Sequence, residues 1–339
     1  MKKLLGPVVG IFIIFAMAGG MSLPSFAASE LPRAVAIGTS SIGGVYYVLS
    51  VGMADIINKH TPMSATAEAV GGSDANMRAI KAGKVHLAMA NTFSSVNAYR
   101  GVQQFAKDGR LPVRLLALGQ PSYRQTVVRV AAGIKTIADL KGKKLVAKRR
   151  ALAELELVAD AQLKAYGLDR KDVQYIATAK TDEAISALIS GTVDAAVIPG
   201  GAPAAFLIKL FEKIDARILN IPPDKMKIVL EELGPAFYDD VIRGGIYRGQ
   251  SEAVHAPAMG TSLVAAENLP EAAAYEVIKA LYKNFDSFKM VHKAAAYWTL
   301  DNTLGKFPIP FHPGAIRYFK EIGSWTAAHE RKQEKLSAK

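Results

Sequence analysis

The stretch AVAIGTSSIGGVYYVLSVGMADI, Ala34 to Ile56, decides the fold. Its first four residues, Ala34 to Ile37, form a short apolar run with β-branched members, which predicts a strand. Gly38-Thr39-Ser40-Ser41-Ile42-Gly43-Gly44 then breaks the pattern, and Val45, Leu49, Met53 and Ile56 recur at helical spacing beyond it. Strand, glycine-rich turn and helix in that order open an α/β domain. The next segment repeats the plan: a strand over 66–70, Gly71-Gly72, Ser73 as a helix cap, a helix carrying Met77 and Ile80, Gly83, and a strand over 85–90.

This second unit has an echo further along. AIKAGKVHLAMA (Ala79 to Ala90) matches ALISGTVDAAVI (Ala187 to Ile198) in outline, each an apolar helix end, a glycine and a strand of small and branched residues. Two such units imply two lobes of related architecture. Between them RQTVVRV, Arg124 to Val130, is rich in β-formers and is expected to cross from one lobe to the other. A short helix is expected over 134–140, a strand over 144–147 and an amphipathic helix over 153–166 closed by Gly167. The chain returns to the first lobe over 259–265 and ends in helices over 270–285 and 314–322.

The chain has 339 residues, half of them hydrophobic, enough for a large core. There is no cysteine, which excludes disulfides, thiolate nucleophiles and cysteine metal sites. Lys2 and Lys3, the apolar run over 8–18 and Ser25-Phe26-Ala27 have the layout of a secretory signal cut after Ala27. The competing membrane anchor would need about 20 apolar residues, more than this run supplies. The formal charge of +12 fits an anionic ligand, and export argues against nucleic acid. These readings divide the chain into a leader (1–27), a first lobe (28–124 and 258–328), a second lobe (125–257) and a charged, frayed tail (329–339).

Three glycine turns are candidate ligand contacts: the loop Gly38 to Gly44, Gly71-Gly72-Ser73, and Gly200-Gly201 within Pro199 to Pro203. All follow strands expected to be parallel, so they should meet at one cleft. Backbone N–H groups at a helix start favour anions; each turn also serves equally well as a plain tight turn. The nucleotide loop is excluded, because no Gly-Lys-Ser/Thr follows and the spacing misses G-x-G-x-x-G. The six histidines are scattered without metal-ligand spacing, and no G-x-S-x-G is present. Asp239-Asp240 reads as surface charge rather than a catalytic pair.

Taken in order, GTSSIGGVYYVLSVGMADIIN, EAVGGSDANMRAIKAGKVHLAMA, IKTIADLKGKKLVA, GTVDAAVIPGGAP, YRGQ (Tyr247 to Gln250) and PIPFHPGAIRYFKEIG resemble the TAXI family of substrate-binding proteins of TRAP transporters. The resemblance spans residues 35–323. It implies a two-lobed α/β periplasmic binding fold of type II-like architecture, closing on a small organic anion (amino-acid-like, oxo- or dicarboxylic), with no cofactor and no catalysis. It also implies a monomer that delivers its ligand to a multi-span membrane permease. Carried over by position, the cleft residues are Gly38, Thr39, Ser40, Gly43, Gly44 and Tyr46, then Gly71, Gly72, Ser73 and Asn76, then Asn91 and Thr92. The same fold serving an ABC importer or a sensor kinase is the alternative, and an exported enzyme a more distant one.

Three departures from the family pattern stand out. Where the family carries a glycine-rich run, this chain reads Lys148-Arg149-Arg150-Ala151-Leu152-Ala153-Glu154. Phe93 stands where a carboxylate is frequent, and Ala204 where an asparagine is expected. One of Arg149 and Arg150 is therefore expected to replace the lost backbone donors, with its neighbour turned outward. Phe93 is expected to form an apolar wall of the cleft.

Overall fold

The computed structural model describes residues 31–234, 236–305 and 307–338. The leader reading over 1–27 lies outside them. The first half runs β1 (Ala34–Gly38), α1 (Val45–His60), β2 (Ser64–Glu68), α2 (Ser73–Lys81), β3 (Leu87–Asn91), α3 (Thr92–Arg100) and the long β4 (Val113–Arg129). The second continues with β5 (Lys144–Lys148), α4 (Glu154–Ala165), β6 (Gln174–Ala177), α5 (Thr181–Ser190) and β7 (Ala195–Gly200). After these come α6 (Ala205–Lys213), β8 (Ala216–Ile218), α7 (Pro223–Leu233), β9 (Tyr238–Ile242) and a second long strand, β10 (Val254–Ala266). The chain ends with α8 (Glu271–Lys283), α9 (Phe285–Lys289), α10 (Leu300–Gly305), α11 (Pro313–Glu321) and α12 (Ala327–Ser337).

The strands are connected in the order β2-β1-β3-β10-β4-β7-β5-β6, with β8 on β4 and β9 on β10. Each end of this series is a parallel βαβαβ unit: β1-α1-β2-α2-β3 with strand order β2-β1-β3, and β5-α4-β6-α5-β7 with order β6-β5-β7. The sequence echo is the α2–β3 and α5–β7 portion of these two units. Both helices are followed by a glycine in the left-handed region, Gly83 at φ 66° and Gly191 at φ 77°, a conformation that favours glycine.

The units are joined by the antiparallel strands β4 and β10. Strand β4 pairs with β10 from Val113 to Tyr123, and with β7 from Tyr123 to Val128. The crossing expected over 124–130 is thus the second part of a strand of 17 residues. Gly119 and Pro121 make the first part look like a loop, but they flank a register shift between Met259 and Thr261 of β10. A bulge is one of the few places a strand accepts proline. Gly119 is required there: a Cβ would lie 2.0 Å from the Trp298 ring, whose indole donates to Gln120 Oε1 at 2.7 Å.

The predicted α1 face is buried, with Val45, Leu49, Met53 and Ile56 all at 4% exposure or less. Ser73 corrects the expectation of a cap: the cap position is Gly72, with no side-chain bond, and Ser73 opens the helix. The segment past His329 is not frayed. It forms α12, tied down by Gln333 to both backbone groups of Phe311, by Trp325 to Glu330 at 2.6 Å, and by the Tyr99 hydroxyl to the Leu336 carbonyl. Polar anchors give no apolar periodicity, so this helix is silent in a hydrophobic pattern. Among the described residues no helix is long and apolar enough to cross a membrane.

His312 caps α11 by accepting from Gly314 N through Nδ1, and is 2% exposed. Burial holds its imidazole down to about 4, with nearby Arg114 a lesser cause. The unfolded chain therefore takes up a proton between pH 6.5 and about 4 that the folded protein refuses. Stability should fall as the pH drops through that window, by on the order of 3 kcal/mol in all. Urea unfolding at pH 7.5 and 4.5 checks this. His312→Asn, which keeps a capping acceptor, should lose less stability on acidification than the parent protein.

Candidate functional site

The C-terminal ends of β1 and β2 face those of β5 and β7 across a small cavity. All three glycine turns reach its wall, through Ser40, Ser41 and Gly44, through Gly71, Gly72 and Ser73, and through Pro199 and Gly200. Tyr46 joins them from the first turn of α1, its hydroxyl 3.1 Å from Thr261 Oγ1. Burial raises the Tyr46 phenol above its usual range, which keeps it neutral. Ser73 Oγ accepts from Asn91 N at 3.0 Å, fixing the hydroxyl at the wall. Gly72 sits at φ 156°, and a Cβ on it would lie 3.0 Å from the Ala151 carbonyl, which accepts from Asp74 N next door.

The two arginines are placed differently. Arg149 is 5% exposed and lines the cavity, whereas Arg150 is exposed to solvent. The Arg149 guanidinium donates to Thr181 Oγ1 at 2.6 Å, to the Gly71 carbonyl at 2.6 Å and to Ser41 Oγ at 3.1 Å. It thus ties the second parallel unit to two turns of the first. Its Nε is buried without a hydrogen-bond partner, and among the described residues it has no ion pair. Burial pushes it down to about 10, which leaves it cationic at neutral pH.

Arg124 also lines the cavity, and sequence reasoning placed it only as the start of a strand. It is buried with Glu154, whose Oε1 accepts from Arg124 Nη2 at 2.5 Å and Nε at 3.1 Å, and from Asn91 Nδ2 at 3.1 Å. Arg124 Nη1 donates to the Tyr123 carbonyl at 2.8 Å and to Ser122 Oγ at 3.0 Å. Burial pushes the Glu154 carboxyl up, while Arg124 pulls it down. Three donors converge on Oε1 and no acceptor faces Oε2, so the pair is a carboxylate with a guanidinium. The remaining wall residues missed in sequence are Val45, Ser122, Leu152, Thr181 and Phe206, an apolar lining with two hydroxyls. No periodicity marks them, because they come together from five separate segments.

Several expected contacts lie behind the wall instead. Gly38 packs on Asn76, whose amide donates to the Met89 carbonyl at 2.7 Å. Thr39 is buried and donates to the Ser40 carbonyl at 3.0 Å. Asn91 caps α3 through Ser94 N and braces Glu154, and Thr92 lies under Gly260. Gly43 belongs to an outer hollow with Met290 and His292, and Gly201 packs on Val45. Phe93 does not form a cavity wall: its ring lies 5.5 Å from Phe237 in an apolar cluster with Leu152, which takes the wall position. The first turn of α3 carries Phe93 into that cluster. Ala204, where an asparagine was expected, is buried at the start of α6.

Among the described residues no group of three or more His, Asp or Glu could hold a metal ion. Asp239 and Asp240 pair with His255 and with the Tyr123 hydroxyl, as surface residues of β9.

Two parallel α/β units joined by two crossing strands, with the cavity between them, make this the fold of the two-lobed periplasmic solute-binding proteins. The alkanesulfonate-binding protein SsuA from Xanthomonas axonopodis pv. citri, solved bound to MOPS, matches with a TM-score of 0.50 at 14% identity over 90% of this chain and 84% of that one. The periplasmic aliphatic sulphonate binding protein SsuA from Escherichia coli matches at 0.43 and 16% over 91% and 86%. An ancestral arginine-binding protein bound to arginine matches at 0.48 and 15% over 80% and 100%. The family model described as NMT1-like matches residues 37–323, and the chain belongs to the NMT1-like family.

Breaking the buried ion pair should be costly. Glu154→Ala leaves the Arg124 charge unpaired and is expected to lower stability by about 3–5 kcal/mol in urea unfolding, with Arg124→Met/Glu154→Leu recovering much of the loss.

Proposed function

We propose that this chain is the periplasmic solute receptor of a membrane transporter, that its cavity takes a small organic anion, and that Arg149 is the anchor. The observation that carries the reading is a buried guanidinium with hydrogen-bonding capacity to spare and no carboxylate paired with it. A buried charge without a paired counterion costs several kcal/mol, and Glu154, Asp182 and Glu183 act on Arg149 only from beyond ion-pair distance. An anion in the cavity removes that cost and gains charge-assisted hydrogen bonds. Gly71, Gly72, Ser73, Ser40, Gly44, Tyr46 and Gly200 are the further contacts we assign, on the strength of their place in the wall.

The lobes we assign are residues 28–124 with 258–328, and residues 125–257, hinged on β4 and β10. Contacts across the cavity support closure on the ligand: Arg149 to Ser41 and Gly71, Asp74 to the backbone of Ala151 and Ala153, and Asn91 to Glu154. The choice of a TRAP permease as partner rests on the ordered motifs shared with the TAXI family, and is tested by whether the neighbouring genes encode one. Export rests on the leader layout over 1–27, which predicts a mature N-terminus at Ala28 by intact mass of periplasmic protein.

A thermal-shift panel of carboxylates and sulfonates finds the ligand, since a compound at about 100 times its dissociation constant adds about 2.7 kcal/mol. Calorimetry with that compound then tests the anchor. Arg149→Ala should weaken binding by about 1.5–3 kcal/mol, the worth of charged hydrogen bonds, and Arg150→Ala should change it little. Equal affinity in both variants refutes the assignment. Small-angle scattering should show the radius of gyration falling when ligand is added.

A further inference from the structure

The charges around the cavity can be counted, and the count narrows the ligand. Two arginines reach the wall and no aspartate or glutamate does. Arg124 is neutralised by Glu154 just behind it, and its donors are already engaged by Glu154, Ser122 and the Tyr123 carbonyl. Asp74, the other buried carboxylate nearby, gives its oxygens to Ser94, Gln104 and the Ala153 N–H. Those donors are neutral, so Asp74 keeps its negative charge behind the wall. At the wall itself, and among the described residues, Arg149 is the cation with no carboxylate within ion-pair distance.

We infer that the cavity selects a singly charged oxyanion carried on an apolar body, and discriminates against both dianions and α-ammonium zwitterions. The inference rests on the anion-receptor reading above and deepens it. A second anionic group would enter the wall without a free cation, beside a guanidinium already paired. An ammonium group would enter without a carboxylate to meet it and next to the Arg149 charge. Either case buries an unpaired charge, the costliest mismatch a closed site can present. The rest of the wall suits a hydrocarbon: Val45, Leu152, Pro199 and the Phe206 ring face the same space. The hydroxyls of Ser40, Ser73 and Thr181 supply neutral partners for the headgroup oxygens but no charge. A carboxylate and a sulfonate share the required chemistry, and the inference concerns the charge count they have in common.

The test is a matched series on the full mature protein, measured by calorimetry at pH 7.5. Pentanoate and pentane-1-sulfonate represent the monoanion, glutarate adds a second carboxylate to the same chain, and norvaline adds an ammonium. Phenylacetate and phenylglycine repeat the ammonium comparison on an aromatic body. The expected result is at least tenfold tighter binding of each monoanion than of its dianionic or zwitterionic partner. Glutarate, norvaline or phenylglycine binding as tightly as its partner overturns the charge rule while leaving an anion receptor standing. Binding by no member of either series overturns the receptor reading itself, and the charge rule with it.

Discussion

The contact between Arg124 and Glu154 sits where the two parallel units meet, and much of the molecule is arranged around it. Arg124 follows Tyr123, the residue at which β4 stops pairing with β10 and starts pairing with β7. Glu154 opens α4, where the helix dipole favours a negative charge. Asn91, at the end of β3 in the other unit, donates to the same carboxylate oxygen. Three segments far apart in the chain therefore converge on one buried oxygen. Misplacing any of them would leave a charge or an amide unpaired in a low-dielectric interior.

The two related units present different turns to the cavity. The turn after β1 is Gly38 to Gly44, rich in glycine and ready to offer backbone groups. The equivalent turn after β5 is Arg149 to Ala153, which contains no glycine. Ser73 and Thr181 occupy matching places as the first residues of α2 and α5, and both reach the wall. One half thus meets the ligand space with a polar backbone and the other with a guanidinium held by Thr181. A guanidinium is a full charge with donors in a fixed plane, whereas backbone amides are partial charges. On the proposed reading, this difference would favour a formally charged ligand.

In the proposed receptor, closure and recognition would be linked through the same side chain. Arg149 touches Ser41 and the Gly71 carbonyl of the opposite unit, so separating the units breaks two of its hydrogen bonds as it exposes the charge to water. Water stabilises the exposed guanidinium, and an anion stabilises the enclosed one. In physical terms a ligand can shift an opening equilibrium only through such a difference between the two states.

The α/β class, the repeated unit, the glycine turns and the face of α1 were all legible in the sequence, because each depends on local periodicity and on residues with restricted backbone preferences. The opposed placements of Arg149 and Arg150 do not come from strand alternation: β5 ends at Lys148, and Arg150 lies in a turn closed by Leu152 N donating to the Arg149 carbonyl. The 17-residue length of β4, hidden by Gly119 and Pro121, depended on a bulge against β10 and on Trp298 filling the space a side chain would occupy. Helix α12 and the retreat of Phe93 from the wall depended likewise on partners far along the chain. The charge of the site was the most tertiary property of all. A sequence counts arginines, but only the folded chain decides which one is paired: Glu154 lies 2.5 Å from Arg124, and among the described residues no carboxylate comes within ion-pair distance of Arg149.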